Sequence, residues 1–192
     1  TGGGFKDLSK LSNNGELMND VKYSNDNLGI LELDGTGDHI NCGTDASLRP
    51  SEAITISAWI RATGLNTLNG IVNYGTGGYW LYLQSDGTPE IYINDTAFAS
   101  SSGPVNLNTW YNLVGTYDRV NVKLYQNGIN VVNSAFSKAI DRWEDYCQIG
   151  SIKTISDRYF QGNIANVKIY KKALTEDEVL QEFESNRGRF GV

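Results

Sequence analysis

The chain is poor in the residues that open most catalytic and metal-binding classes. In 192 residues it has one histidine (His39), two cysteines (Cys42 and Cys147) and three prolines (Pro50, Pro89 and Pro104). One histidine and two widely separated cysteines match no zinc pattern. A single cysteine pair is no disulfide framework, so the expectation is two buried free thiols, with a bridge between strands as the alternative. All three prolines fall outside the apolar runs, as antiparallel strands require. Positive charge is scarce as well: 16 Lys and Arg stand against 22 Asp and Glu, for a net charge of −6. With no basic stripe beyond the pair Lys171 and Lys172, nucleic acid is not an expected partner. Long apolar runs are missing, so no segment reads as a membrane span or a signal-peptide core, and no membrane partner is expected. Paired carboxylates on one strand face, which a two-carboxylate glycosidase uses, are missing too. The clustered acids Glu176, Asp177 and Glu178 suit the first turn of a helix instead. These absences point away from an enzyme.

What is present is β-structure. Short apolar or alternating runs read as eleven strands, at 29–33, 39–42, 53–61, 70–74, 79–84, 90–94, 110–117, 120–126, 129–132, 148–149 and 163–170. The clearest alternation is Ile54, Ile56, Ala58 and Ile60. Asn127-Gly128 between two apolar runs is a hairpin signal, because both residues tolerate the positive φ of a type I′ turn. Thr175 with Glu178 forms a capping box, so one short helix is expected over 175–183. This many short strands exceeds one average sheet, which predicts an all-β, two-sheet antiparallel β-sandwich with one C-terminal helix.

The order of several segments carries a resemblance. Leu31-Glu-Leu-Asp-Gly-Thr-Gly-Asp38, the tryptophan strand Ile54-Thr-Ile-Ser-Ala-Trp59-Ile60, the hairpin from Trp110 to Gly128, Cys147-Gln-Ile-Gly150 and the closing stretch Gly162 to Leu174 together resemble laminin-G-like jelly rolls of the concanavalin-A-like lectin group. The resemblance covers 5–185, with 1–4 expected as a linker remnant and 186–192 as a C-terminal tail. Residues 185–192 also resemble the ends of laminin-G-like proteins of tailed phages, which implies a C-terminal domain of a larger virion or surface protein. The resemblance implies binding of glycans or proteins rather than catalysis. It also implies a structural calcium, for which Asp34 and Asp38 are the candidate ligands. The competing reading is that these aspartates bond their own turn. Where the family often has Asp then Glu, this chain has Ala165 and Asn166.

Strand parity proposes a binding face. Leu81 and Leu83 point opposite to Trp80 and Tyr82, Tyr92 points opposite to Ile91 and Ile93, and Lys123 and Tyr125 oppose Val122 and Leu124. If the aliphatic set faces the core, Trp80, Tyr82, Tyr92, Lys123 and Tyr125 face outward as a platform for sugar rings, or lie under loops as a second small core. The same parity sends Trp59 to an outer face, under a loop, while Trp110 with Val114 is assigned to the core. Two readings follow: a carbohydrate-binding or adhesion module that meets a cell-surface glycan or polysaccharide, and a capsid or fibre decoration domain that meets other virion proteins.

Overall fold

The computed structural model describes residues 5–75, 77–141, 145–152 and 158–192; the expected linker at 1–4 lies outside them. Its strands in chain order are β1 (Glu16–Met18), β2 (Lys22–Ser24), β3 (Ile30–Asp34), β4 (His39–Asn41), β5 (Ile54–Ala62), β6 (Leu68–Tyr74) and β7 (Tyr79–Gln84). They continue as β8 (Pro89–Ile93), β9 (Ala97–Ser100), β10 (Tyr111–Tyr117), β11 (Asn121–Gln126), β12 (Ile129–Ala135), β13 (Cys147–Ile149) and β14 (Gln161–Tyr170), and α1 (Glu176–Phe190) closes the chain. Two seven-stranded antiparallel sheets pack face to face, the first ordered β1-β4-β13-β6-β7-β8-β9 and the second β12-β11-β10-β5-β14-β3-β2. This is the jelly-roll sandwich expected from the sequence. The structure adds β1, β2 and β9 to the eleven expected strands. Each is three or four residues long and lies at a sheet edge. An edge strand buries little, so its sequence carries little pattern.

Between the sheets lies one aliphatic core. From β5 it takes Ile54, Ile56, Ala58, Ile60 and Ala62, all essentially without exposure. From the first sheet it takes Val72, Leu81, Leu83, Ile91 and Ile93. The sheets come close at Gly115, where an added Cβ would lie 2.2 Å from Ile91 Cδ1. A bulge in β14 at Asn166, whose φ is 49°, resets the alternation so that Ile164, Val167 and Ile169 all reach this core. Asn127 and Gly128 both take positive φ in a two-residue loop between β11 and β12, as their types predict.

The second sheet also buries its outer face, and α1 is what covers it. Trp59, Trp110, Ile30 and Ala165 form an apolar cluster there with Phe183 and Phe190 of the helix. Val114 and Tyr125 form another with Leu174 and Val179. Three expectations are therefore corrected. Trp110 and Val114 sit on this outer face and not in the core between the sheets. The cover over Trp59 is the helix and not a loop. The helix itself runs past 183 to Phe190, so most of the residues expected as a tail belong to it. The physical reason is one of spacing: Val179, Phe183 and Phe190 recur on a single helical face and stay buried only while the helix continues. The capping box forms as expected, with the Glu178 N–H donating to Thr175 Oγ1 at 3.2 Å and the Thr175 N–H to Glu178 Oε2 at 2.9 Å. Among the described residues no helix is long and apolar enough to cross a membrane.

Truncation of a well-buried phenylalanine costs about 3–5 kcal/mol, whereas loss of a hydroxyl N-cap costs about 1 kcal/mol. Urea denaturation should accordingly show Phe190→Ala losing roughly 3 kcal/mol and Thr175→Ala about 1 kcal/mol. A Phe190→Ala loss below about 0.5 kcal/mol, the scale of an ordinary surface change, would mean that the helix end is not anchored to the sheet.

Candidate functional site

The outer face of the first sheet carries the aromatic residues that parity singled out, and its register aligns them. Trp80 on β7 lies across from Tyr92 on β8, and Tyr92 from Phe98 on β9. Their rings run nearly parallel: Trp80 and Tyr92 have centroids 5.9 Å apart at 23°, and Tyr92 and Phe98 5.5 Å apart at 14°. Trp80 and Tyr92 are half-buried, and Phe98 is 48% exposed. The Trp80 indole N–H donates to the Gly75 carbonyl at 2.6 Å, which fixes the ring's orientation. The row is preorganised and open to solvent along part of its surface.

One step along the same strands the chemistry turns polar. Tyr82 lies across from Glu90, its hydroxyl donates to one Glu90 carboxylate oxygen, and Gln84 Nε2 donates to the other. Both Tyr82 and Glu90 are only 5% exposed. Burial, and then the neighbouring Glu90 carboxylate, push the Tyr82 phenol well above its ordinary range, so it stays a donor. A buried carboxylate needs such partners. Beyond the row, the β8–β9 turn holds Asp95, whose carboxyl is raised by partial burial and by the charge of Asp141 and lowered by a hydrogen bond from the Gly77 N–H.

The five residues expected to share one face divide between the two sheets. Trp80, Tyr82 and Tyr92 are together, though Tyr82 is buried against Glu90 and not exposed as a stacking ring. Lys123 and Tyr125 belong to β11 in the second sheet, beneath α1. Lys123 Nζ lies 3.1 Å from Glu176 Oε1 at the start of the helix, and that bond holds its ammonium above the ordinary lysine value. Tyr125 is 1% exposed and packs on Leu174 and Val179. Both fasten the helix. Parity reports a side of a sheet and not which sheet, which is why sequence reasoning merged them.

Phe98, Glu90 and Gln84 escaped the sequence reading. Glu90 did leave a signal: it is a lone charge inside Pro89-Glu-Ile-Tyr-Ile93 and shares parity with Tyr92. Phe98 left none, since Ala97-Phe98-Ala99 has no alternation of polarity.

Asp34 and Asp38 lie at opposite ends of a turn that uses their oxygens itself. Asp38 Oδ1 accepts from Asn19 Nδ2 at 2.9 Å and from the Asp20 N–H at 3.0 Å, and Oδ2 accepts from the Asp34 N–H at 3.1 Å. Asp34 Oδ1 accepts from the Thr36 N–H at 2.6 Å. The Thr36 and Gly37 carbonyls likewise face Asn19 Nδ2 and the His39 ring. Among the described residues no cluster of three His, Cys, Asp or Glu gathers anywhere. Calcium needs six to eight oxygens free to point at it, whereas three of the four carboxylate oxygens here are turned toward N–H donors.

With this geometry in place, the comparisons are informative. The family model of the concanavalin A-like lectin/glucanases superfamily matches residues 34–180. No curated protein matches the sequence. Among solved structures, the fold is similar to the binding domain of Paraclostridial Mosquitocidal Protein 1, with a TM-score of 0.78 and 21% identity over 94% of this chain and 49% of that one. It is similar to domain 4 of AbnA, a family GH43 extracellular arabinanase from Geobacillus stearothermophilus solved with arabinotriose, with a TM-score of 0.68 and 20% identity over 85% of this chain and 81% of that one. It is also similar to the ligand-binding domain of botulinum neurotoxin serotype D solved with N-acetylneuraminic acid, with a TM-score of 0.70 and 18% identity over 94% and 48%. The chain thus spans about half the length of the toxin domains. At these identities the likeness shows the fold alone.

Differential scanning calorimetry tests the turn. A calcium site with Kd near 10⁻⁴ M, at roughly 1 mM calcium, would raise the melting temperature by about 3–6 °C over a chelator control. The expected shift is below about 1 °C, small against that linkage effect.

Proposed function

Because this chain belongs to the concanavalin A-like lectin/glucanases superfamily, we propose that it is a non-catalytic glycan-binding module whose ligand lies on the outer face of the first sheet. The observation that carries this reading is the ordered row Trp80, Tyr92 and Phe98 on the sheet face that α1 leaves uncovered. Apolar ring faces stack on the C–H faces of sugar rings. The adjacent half-buried Gln84, held in place by the buried Glu90, supplies an amide for hydroxyls. The arabinotriose on the arabinanase domain supports a glycan ligand more strongly than the N-acetylneuraminic acid on the neurotoxin domain, since this chain matches most of the former's length and half of the latter's.

The distribution of carboxylates within the strands of the first sheet supports binding without hydrolysis. In the strands of the first sheet the only acids are Glu90 on β8 and Glu16 on β1. Five strand steps separate those two strands, or about 24 Å at roughly 4.8 Å per step. Two-carboxylate glycosidases hold their pair about 5–9.5 Å apart.

The setting we propose is a larger surface or virion protein, supported by the resemblance of residues 185–192 to phage protein ends. Most of those residues also have a packing role in α1.

A glycan array that includes neutral oligosaccharides and sialylated ones, followed by titration calorimetry on the best ligand, tests the reading. Stacking of one ring is worth about 1–3 kcal/mol, so Trp80→Ala and the more exposed Phe98→Ala should each weaken binding by roughly 10- to 100-fold at nearly unchanged melting temperature. Wild-type binding that neither substitution weakens would place the site elsewhere. The absence of any glycan ligand would favour the protein-interaction reading.

A further inference from the structure

Cys42 and Cys147 face each other where β4 meets β13. The register pairs Gln148 with Asn41 and Ile149 with Ile40, and one further step along both strands brings Cys147 opposite Cys42. The main chain stays joined at that step: the Cys42 N–H donates to the Cys147 carbonyl at 2.8 Å, and the Cys147 N–H to the Gly43 carbonyl at 2.9 Å. Those two bonds set Cys42 and Gly43 together against Cys147, as in a bulge, and neighbouring strands about 4.7–4.9 Å apart lie inside the span of about 4.4–6.8 Å that a disulfide bridges. Both side chains turn toward the core between the sheets, Cys147 fully buried and Cys42 half-buried against the same cluster. Both cysteines are free thiols in this structure, as expected from the sequence, and the Tyr79 hydroxyl lies 3.9 Å from Cys147 Sγ.

We infer that Cys42 and Cys147 are a disulfide-forming pair, closed by exchange with a small-molecule disulfide, and that the bridge fastens β4 and the edge strand β1 to the rest of the first sheet. The need is visible in the sheet itself, since β1, β4 and β13 have three residues each and supply few ladder bonds. The accessible partner is also the reactive one. The contact with Cys147 holds the Cys42 thiol below its ordinary range, while the same contact and full burial hold Cys147 well above it. The Cys42 thiolate attacks one sulfur of the small disulfide, which expels one small thiolate and leaves a mixed disulfide on Cys42. Cys147 then gives up its proton, attacks Cys42 Sγ and expels the second thiolate. Two small thiols and a protein two hydrogens lighter are the products.

The reduced protein incubated with oxidised glutathione gives the test. Intact mass should fall by about 2 Da, as thiol–disulfide exchange without a retained adduct requires. Non-reducing peptide mapping should join the Cys42 and Cys147 peptides. Closing so long a loop should raise the melting temperature by roughly 5–15 °C, reversibly on reduction. Cys42→Ala should show none of these changes. Two thiols still alkylated after oxidation and unfolding, a lasting glutathione adduct on Cys42, or a cross-link between two molecules would overturn the inference.

Discussion

The stacking of Phe190 on Trp59, with ring centroids 4.1 Å apart and planes at 13°, settles which face of this sandwich remains open. A strand presents a surface on each side, and the second sheet has apolar side chains on both. One side packs against the first sheet. The other, with Trp59, Trp110, Val114 and Tyr125, has to be withdrawn from water by something else, and burial of each large side chain is worth roughly 1.5–3 kcal/mol. The helix supplies that cover over its whole length, and the outer face of the first sheet is left as the surface with exposed rings.

Polar contacts reinforce the placement. Glu182, on the sheet-facing side of α1, lies 2.7 Å from Lys168 on β14 and accepts from the Tyr170 hydroxyl. Burial and that carboxylate push the Tyr170 phenol up to about 12. Arg189, in the last turn, donates to the Gly29 carbonyl at 2.9 Å. Thr55 Oγ1 donates to the Lys172 carbonyl and accepts from the Leu174 N–H, which ties the approach to the helix onto β5. Each sheet thus has a tyrosine on its outer face bonded to a glutamate, Tyr170 to Glu182 of α1 in one and Tyr82 to Glu90 of β8 in the other. The resemblance ends there. Glu182 is paired with a lysine, whereas Glu90 is held by uncharged donors beside an open aromatic row.

The two faces separate two kinds of tryptophan. Trp59 and Trp110 belong to packing beneath the helix, and Trp80 belongs to the uncovered face of the first sheet. Nothing in the residue type distinguishes them. What distinguishes them is the partner across the strand: Trp59 lies opposite Asn112 and Ala165 beneath the helix, and Trp80 lies between Asn73 and Tyr92 on the uncovered sheet.

Local rules alone determined the eleven longer or better patterned strands of this protein and the start of its helix, but not the short edge strands β1, β2 and β9. Period-two alternation marks β5, Asn127-Gly128 marks the β11–β12 hairpin, and Thr175 with Glu178 marks the start of α1, because each rests on backbone geometry within a few residues. The alternation also assigned Trp80, Tyr82, Tyr92, Lys123 and Tyr125 to outward-facing sides. Only the tertiary structure decided which sheet each strand joined, that α1 extends to Phe190, and that Lys123 and Tyr125 lie under it while Trp80 and Tyr92 do not. Those outcomes depend on strand order and on contacts between residues distant in sequence, such as Trp59 with Phe190. Side-chain period is blind to them, since it records two sides of a strand but not what packs against either.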